Sequence, residues 1–160
     1  MEIQLLCIGK PDRSFWTEAL EQYEKRLQHY VKFSLIYLAD VKSSKKTDPL
    51  KIKKEEAIQL LQKIKPGDTI ILLDEKGKAF NSVSFSKEIE NHMISGKKRV
   101  LFIIGGAYGF SEELYQKFPQ RLALSQMTFS HQMVRLFFCE QLYRAFTILN
   151  NHPYHNARSN

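Results

Sequence analysis

Apolar residues in this chain follow two alternating rhythms, short unbroken runs and longer stretches that repeat every third or fourth position. The clearest run is Val100 to Ile104, VLFII, which passes straight into Gly105-Gly106 with Gly109 just beyond. Five apolar residues without polar alternation predict a strand covered on both faces, the habit of parallel sheets. The glycine pair then has two readings. It brings the backbone close to a ligand at the carboxyl ends of the strands, or it only supplies a turn.

The same rhythms predict the other elements. Glu2 to Ile8, Lys32 to Leu38, Thr69 to Leu73 and Leu122 to Leu124 read as strands. Helical spacing predicts a helix over Ser14 to Gln28, with Phe15, Ala19, Tyr23 and Leu27 on one face. A second helix opens at Pro49 and runs to about Ile64, its apolar side made by Ile52, Leu60, Leu61 and Ile64. A third, capped by Ser82 or Ser84 and ending near Gly96, carries Phe85, Ile89 and Met93. A short helix follows Ser111, with Glu112 and Glu113 suiting its dipole, and a long one covers His131 to Asn150. Ala39 to Asp48 reads as a mobile polar loop and 151–160 as a polar tail. Strands alternating with helices predict an α/β fold, a mostly parallel sheet with helices on both faces, in a single domain over residues 1–160.

The last helix stands apart because apolar residues leave it almost no polar side, from Met133 and Val134 through Phe137, Phe138 and Leu142 to Leu149. Such a helix needs cover on more than one side. The sheet can supply one cover, and a second copy of the chain in a twofold homodimer is the simplest source of the other.

Composition narrows the classes. The chain has 160 residues, 43% hydrophobic and 26% charged, with no apolar run long enough for a membrane span and no signal-peptide pattern, so a cytoplasmic location is expected. Cys7 and Cys139 stand alone in apolar settings and read as buried thiols, so neither a disulfide framework nor a metal knuckle is expected. The net charge of +7, concentrated in Lys42 to Lys54 and Lys97 to Arg99, fits either a polyanionic partner or a solvated surface. No common RNA-binding signature is present.

Motifs for dinucleotide binding, phosphate-loop ATPases, serine hydrolases and zinc proteases are absent. Three loops at predicted strand ends remain, after Leu73, at Gly105-Gly106, and over Leu124 to Phe129. Together they can offer main-chain groups to a small polar ligand between apolar walls.

IIGGAYG, LSQMTFSHQMVR, EQLYRAF and NHPYH, taken in this order with the opening strand's IGK and YEKRL in the first helix, resemble the bacterial ribosomal RNA large-subunit methyltransferase H family over essentially the whole chain. These are SPOUT-class enzymes. The resemblance implies methylation of a pseudouridine of 23S ribosomal RNA at ring nitrogen 3 with S-adenosyl-L-methionine. It also implies a homodimer with a deep trefoil knot in the C-terminal part, a rare exception to unknotted topology. The partner would be ribosomal RNA, in the large subunit or the assembled ribosome, with no metal and no membrane. A knotted methyltransferase for transfer RNA and a noncatalytic ribosome-binding factor are the alternatives, and the intact Gly105-Gly106 and LSQMTF segments weigh against the second.

Carried over residue by residue, the resemblance assigns cofactor binding to Leu73, Gly105, Leu124, Ser125, Gln126, Met127, Thr128 and Phe129. Gly105 has no side chain to block a ligand, and Leu124, Met127 and Phe129 can wall an adenine. Ser125 and Thr128 are equally suited to capping the last helix. His131, Tyr154 and His155 are the candidate catalytic residues, for orienting the base or taking its proton, while a histidine at a helix start also suits plain packing. Arg135, Arg144, His152 and Arg158 are candidate RNA contacts, although Glu140 is placed to pair with Arg144. Asn156 follows His155 where the family often has arginine, and Arg158 comes two residues after it.

Overall fold

The computed structural model describes residues 1–41 and 48–155. Its elements in chain order are β1 (Glu2–Ile8), α1 (Ser14–Leu27), β2 (Lys32–Leu38), α2 (Pro49–Leu61), β3 (Thr69–Ala79), α3 (Ser82–Ile94), β4 (Arg99–Ile104), α4 (Glu112–Lys117), β5 (Arg121–Ala123) and α5 (His131–Leu149). The strands form one parallel sheet in the order β2-β1-β4-β3-β5. Unbroken apolar strands need cover above and below, and the helices divide accordingly. Val100, Phe102 and Ile104 join a core with Leu20 and Leu27 of α1, Phe85 and Ile89 of α3, and Phe138, Leu142 and Phe146 of α5. Leu101 and Ile103, on the opposite face, pack with Ala57 and Leu60 of α2 and Leu114 of α4. Cys7 and Cys139 are both buried free thiols.

Several local expectations change. The third helix is capped by neither serine. The Asn81 side chain accepts from the Ser84 N–H at 2.8 Å, because the element starts one residue before the serines reach the cap. Phe15 and Met93 are 57% and 46% exposed, so the apolar faces of α1 and α3 are narrower than their spacing predicts. The predicted loop at Ala39 to Asp48 falls largely on 42–47, which lie outside the described residues.

The third strand differs most. Leu73 and Lys78 both pair with Leu122 of β5, so Asp74 to Gly77 loop out of the ladder and the strand resumes through Ala79. Gly77 makes this possible. A Cβ there would lie 2.7 Å from the backbone of Arg121 and Leu122, closer than any side chain tolerates.

The last helix finds more cover within its own chain than its composition suggests. Phe138, Cys139, Leu142, Ala145 and Phe146 are buried against the sheet, and α1 and α3 flank the helix on either side. Met133, Phe137 and Ile148 remain half-buried on its outward side.

The basic cluster at Lys97 to Arg99 lies at the amino end of β4. There Arg99 donates from Nε to Asp68 Oδ1 at 2.8 Å and also pairs with Oδ2, which neutralises its charge.

Candidate active site

At the opposite, carboxyl end of the sheet, the loop-out within β3 and the loops after β4 and β5 open onto a cleft of about 800 Å³. Leu73, Ile104, Leu124, Met127, Phe129 and Val134 give it apolar walls, while Asp74, Glu75, Glu112, Lys53, Lys76 and Arg121 place both signs of charge around them. Of the eight residues assigned to cofactor binding, Gln126 alone is outside the lining, its side chain exposed.

Each loop is held by its own contacts. Gly105 lacks a side chain for a packing reason, since a Cβ would meet Phe110 Cε1 at 3.2 Å and the Gly109 carbonyl carbon at 3.3 Å. The Tyr115 hydroxyl donates to Asp74 Oδ2 at 2.5 Å, tying α4 to the β3 loop, and the Arg121 guanidinium lies 4.8 Å from the centre of the Tyr115 ring. Burial, then Asp74, pushes the Tyr115 phenol up to about 12, so it stays a donor. Ser125 and Thr128 do not cap α5. Ser125 Oγ accepts from the Met127 N–H at 2.9 Å, Thr128 Oγ1 donates to Glu75 Oε2 at 2.5 Å, and Ser130 is the cap, accepting from the Met133 N–H at 3.4 Å.

His131, the first residue of α5, also lines the cleft. Burial and then the charge of Arg135 hold its imidazole below the usual histidine range, against the pull of Asp40 and Asp12, which favours a neutral ring with a free acceptor nitrogen.

Arg135 overturns the expectation of an RNA contact because it is wholly buried. Its Nη2 donates to the Ile8 carbonyl at 2.6 Å and its Nη1 to Gln132 Oε1 at 3.2 Å, so it pins α5 to the end of β1 where no phosphate can reach. Its Nε has no partner among the described residues. Arg144 is engaged too, donating to Glu140 Oε1 at 2.5 Å from Nη2 and at 3.0 Å from Nε.

Nor do the described residues of the tail, 151–155, line the cleft of their own chain. The His152 N–H donates to the Thr147 carbonyl at 2.9 Å, and its ring Nδ1 accepts from the Tyr154 N–H at 3.2 Å, which turns the chain back along α5. The Tyr154 hydroxyl then reaches Glu140 Oε1 at 3.2 Å, its ring meets Tyr143 edge-on at 4.8 Å, and Arg144 lies over it at 4.9 Å. Burial, a hydrogen bond with Tyr23 and the nearby Glu140 charge raise the Tyr154 phenol well above its ordinary value. His155 Nδ1 lies 3.4 Å from Arg144 Nη1. At a rise of about 1.5 Å per residue, Glu140 is roughly 13 Å along the helix from His131. Arg158 lies outside the described residues.

With this geometry in place, comparison with known proteins is decisive. A family model described as "Predicted SPOUT methyltransferase" matches residues 1–155. The chain belongs to the SPOUT methyltransferase family. A relative from Christiangramia forsetii named "Ribosomal RNA large subunit methyltransferase H" is 51% identical over 156 residues, covering 98% of this chain and 99% of its own. One of the same name from Parabacteroides distasonis is 47% identical over the same shares. A solved structure from Bacillus anthracis, described as a candidate RNA methyltransferase, superposes with a TM-score of 0.52 at 12% identity over 98% of this chain and 99% of that one, a likeness of fold. As a SPOUT methyltransferase the protein is an enzyme that moves a methyl group from a donor, and the cleft at the strand ends is its candidate donor site.

Some participants in this SPOUT site were not foreseen from the sequence. Tyr115 and Asp74 sit 41 residues apart, and nothing in either neighbourhood signals the pairing. Glu56 of α2, buried beside Gly106, reads in sequence as one more charge in a Lys- and Glu-rich helix.

Proposed function

We propose that this enzyme methylates a pseudouridine of 23S ribosomal RNA at ring nitrogen 3, with S-adenosyl-L-methionine as donor, and that it works in the cytoplasm as a knotted homodimer. The observation that carries the reading is the cleft itself, where seven of the eight assigned residues converge at the carboxyl ends of β3, β4 and β5. The full-length relatives named for large-subunit ribosomal RNA favour that substrate over transfer RNA.

The residues fit the donor. Leu73, Leu124, Met127 and Phe129 offer apolar surface for a purine, and carboxylates and cations on the rim suit an amino-acid moiety. Bound there, S-adenosyl-L-methionine supplies an electrophilic methyl group on a positively charged sulfur. The chain's remaining tasks are to hold the base in line, exclude water and accept the proton that leaves the ring nitrogen. His131, on the cleft wall with its imidazole held below the usual histidine range, is placed to take that proton. Tyr154 and His155 cannot do so in their own chain. In a homodimer whose α5 helices pack antiparallel by their outward sides, the tail of one protomer falls beside the start of its partner's α5. Tyr154 and His155 would then complete the partner's cleft, as stacking and positioning groups.

Incubating the purified enzyme with large ribosomal subunits or assembled ribosomes and labelled S-adenosyl-L-methionine, followed by nucleoside mass spectrometry, tests the reading. A methylated pseudouridine is expected. Methylation confined to transfer RNA, or none on any RNA, contradicts it.

A further inference from the structure

We propose that a second cavity, which shares a wall with the cofactor cleft, is a subsite for the RNA nucleotide that neighbours the target base. The inference rests on the reading of this enzyme as an RNA methyltransferase. The cavity has a volume of about 450 Å³ and lies between the end of β3, α3 and the edge strand β5. That volume is within the roughly 300–1,000 Å³ typical of ligand sites and has room for one nucleotide. Its apolar wall is aromatic, with Phe80 half-buried and Phe85 buried, their ring centres 6.4 Å apart. Lys76, Lys78 and Arg121 line it too, against a single carboxylate among the described residues, Glu88, which faces His92 at 3.7 Å. None of the three cations forms an ion pair among the described residues. Rings beside unpaired cations suit a nucleotide, offering a face to the base and charge to the phosphate.

The position of the cavity ties it to the reaction. Lys76, Arg121 and Leu122 line both spaces, while Asp74 and Glu75 line the cleft alone and Gly77 and Lys78 the cavity alone. The loop-out of β3 is therefore the partition between them, and its cations stand at the crossing. A base that enters the cleft must leave the stack of its strand, which deprives the next base of a neighbour. A phosphate shared by the two nucleotides would pass Lys76 and Arg121, and the second base would reach Phe80. That ring has an accessible face, since the ammonium of exposed Lys78 lies 4.6 Å from its centre. An exposed cation–ring contact is weak, so a base that takes the ring face frees Lys78 for phosphate.

The test measures binding of wild type, Phe80→Leu and Lys78→Gln to large ribosomal subunits and to protein-free 23S ribosomal RNA over a range of salt concentrations, with calorimetry on S-adenosyl-L-methionine alongside. Neither residue lines the cofactor cleft, so cofactor affinity should be unchanged. Leucine keeps apolar packing and removes the ring, and should weaken RNA binding about tenfold, the scale of one lost base stack. Glutamine at Lys78 should lower the slope of log affinity against log salt by about 0.7 to 1, which a merely structural role would leave alone. Unchanged RNA affinity in Phe80→Leu, or an unchanged slope in Lys78→Gln, overturns the proposal. Losses confined to ribosomal subunits, with protein-free RNA bound as by wild type, also overturn it and identify the occupant as ribosomal protein. If Phe80→Leu does not fold, the slope of Lys78→Gln decides alone. Should wild type prefer transfer RNA, the ribosomal reading falls, while the same two variants on transfer RNA still decide the subsite.

Discussion

Thr128 and Glu75 join two loops that border one cleft, the Thr128 hydroxyl donating to Glu75 Oε2 at 2.5 Å from a position 53 residues away in the chain. Both partners are exposed, so the bond adds little to global stability. Its effect should be local. Replacing Thr128 by Val should leave the thermal midpoint unchanged and speed cofactor dissociation by about threefold to fivefold, as expected for one exposed hydrogen bond. Stopped-flow measurement of the dissociation rate checks this, and an unchanged rate would show that the loops are held by other means.

Gly105 makes a graded prediction. Contacts of 3.2 and 3.3 Å around an added Cβ can be relieved by small movements of Phe110, so Gly105→Ala should weaken cofactor binding by about tenfold. The branched side chain of Gly105→Val should abolish detectable binding. Calorimetry on both variants checks the order, and equal affinities would place the binding surface away from Gly105.

Two sides of α5 should respond differently to substitution. Phe138 and Leu142 are fully buried against the sheet, so Phe138→Ala or Leu142→Ala should cost about 3–5 kcal/mol of stability through cavity formation. Met133 and Ile148 point outward and half-buried, so Met133→Glu with Ile148→Glu should give a folded monomer. Chemical denaturation and light scattering separate the two outcomes. A wild-type monomer at micromolar concentration would remove the dimer from the account.

Acid should act at the far end of the sheet. Burial raises the Asp68 carboxyl, but the Arg99 side chain, the Lys65 amide and the charges of both outweigh it, so the net shift is below the ordinary value of 3.8. A depressed carboxyl contributes stability above its unfolded pKa and loses it as pH falls through the folded value. Asp68→Asn should therefore be about 1–2 kcal/mol less stable than wild type at neutral pH, with the gap closing below pH 3.8. Denaturant midpoints across that range check the sign, and a constant gap would contradict it.

What the sequence made legible divides along physical lines. Strands buried on both faces are visible as unbroken apolar runs, so β1 and β2 are read with the bounds they have in the fold, and the cleft is announced by the glycine pair after VLFII. The resumption of β3 at Lys78 and Ala79 was hidden because its cause is remote, the close passage of Gly77 over β5. Arg135 has the formula of a surface cation and lies in the core because the Ile8 carbonyl accepts from it across 127 residues. The apolar surround of α5 is explained partly by α1 and α3, packing that periodicity along a single helix cannot show.

The central claim is that the tail of one protomer completes the cleft of the other. Mixing a chain lacking Asn151 to Asn160 with the Gly105→Val chain tests it most directly, since each homodimer should be inactive alone. In the mixed dimer, the intact cleft of the truncated protomer would be served by the intact tail of its partner. After random exchange, half of the dimers carry one working site, so activity should return to about a quarter of the wild-type value. No activity in the exchanged mixture would show that cleft and tail must belong to the same chain, and would contradict the account.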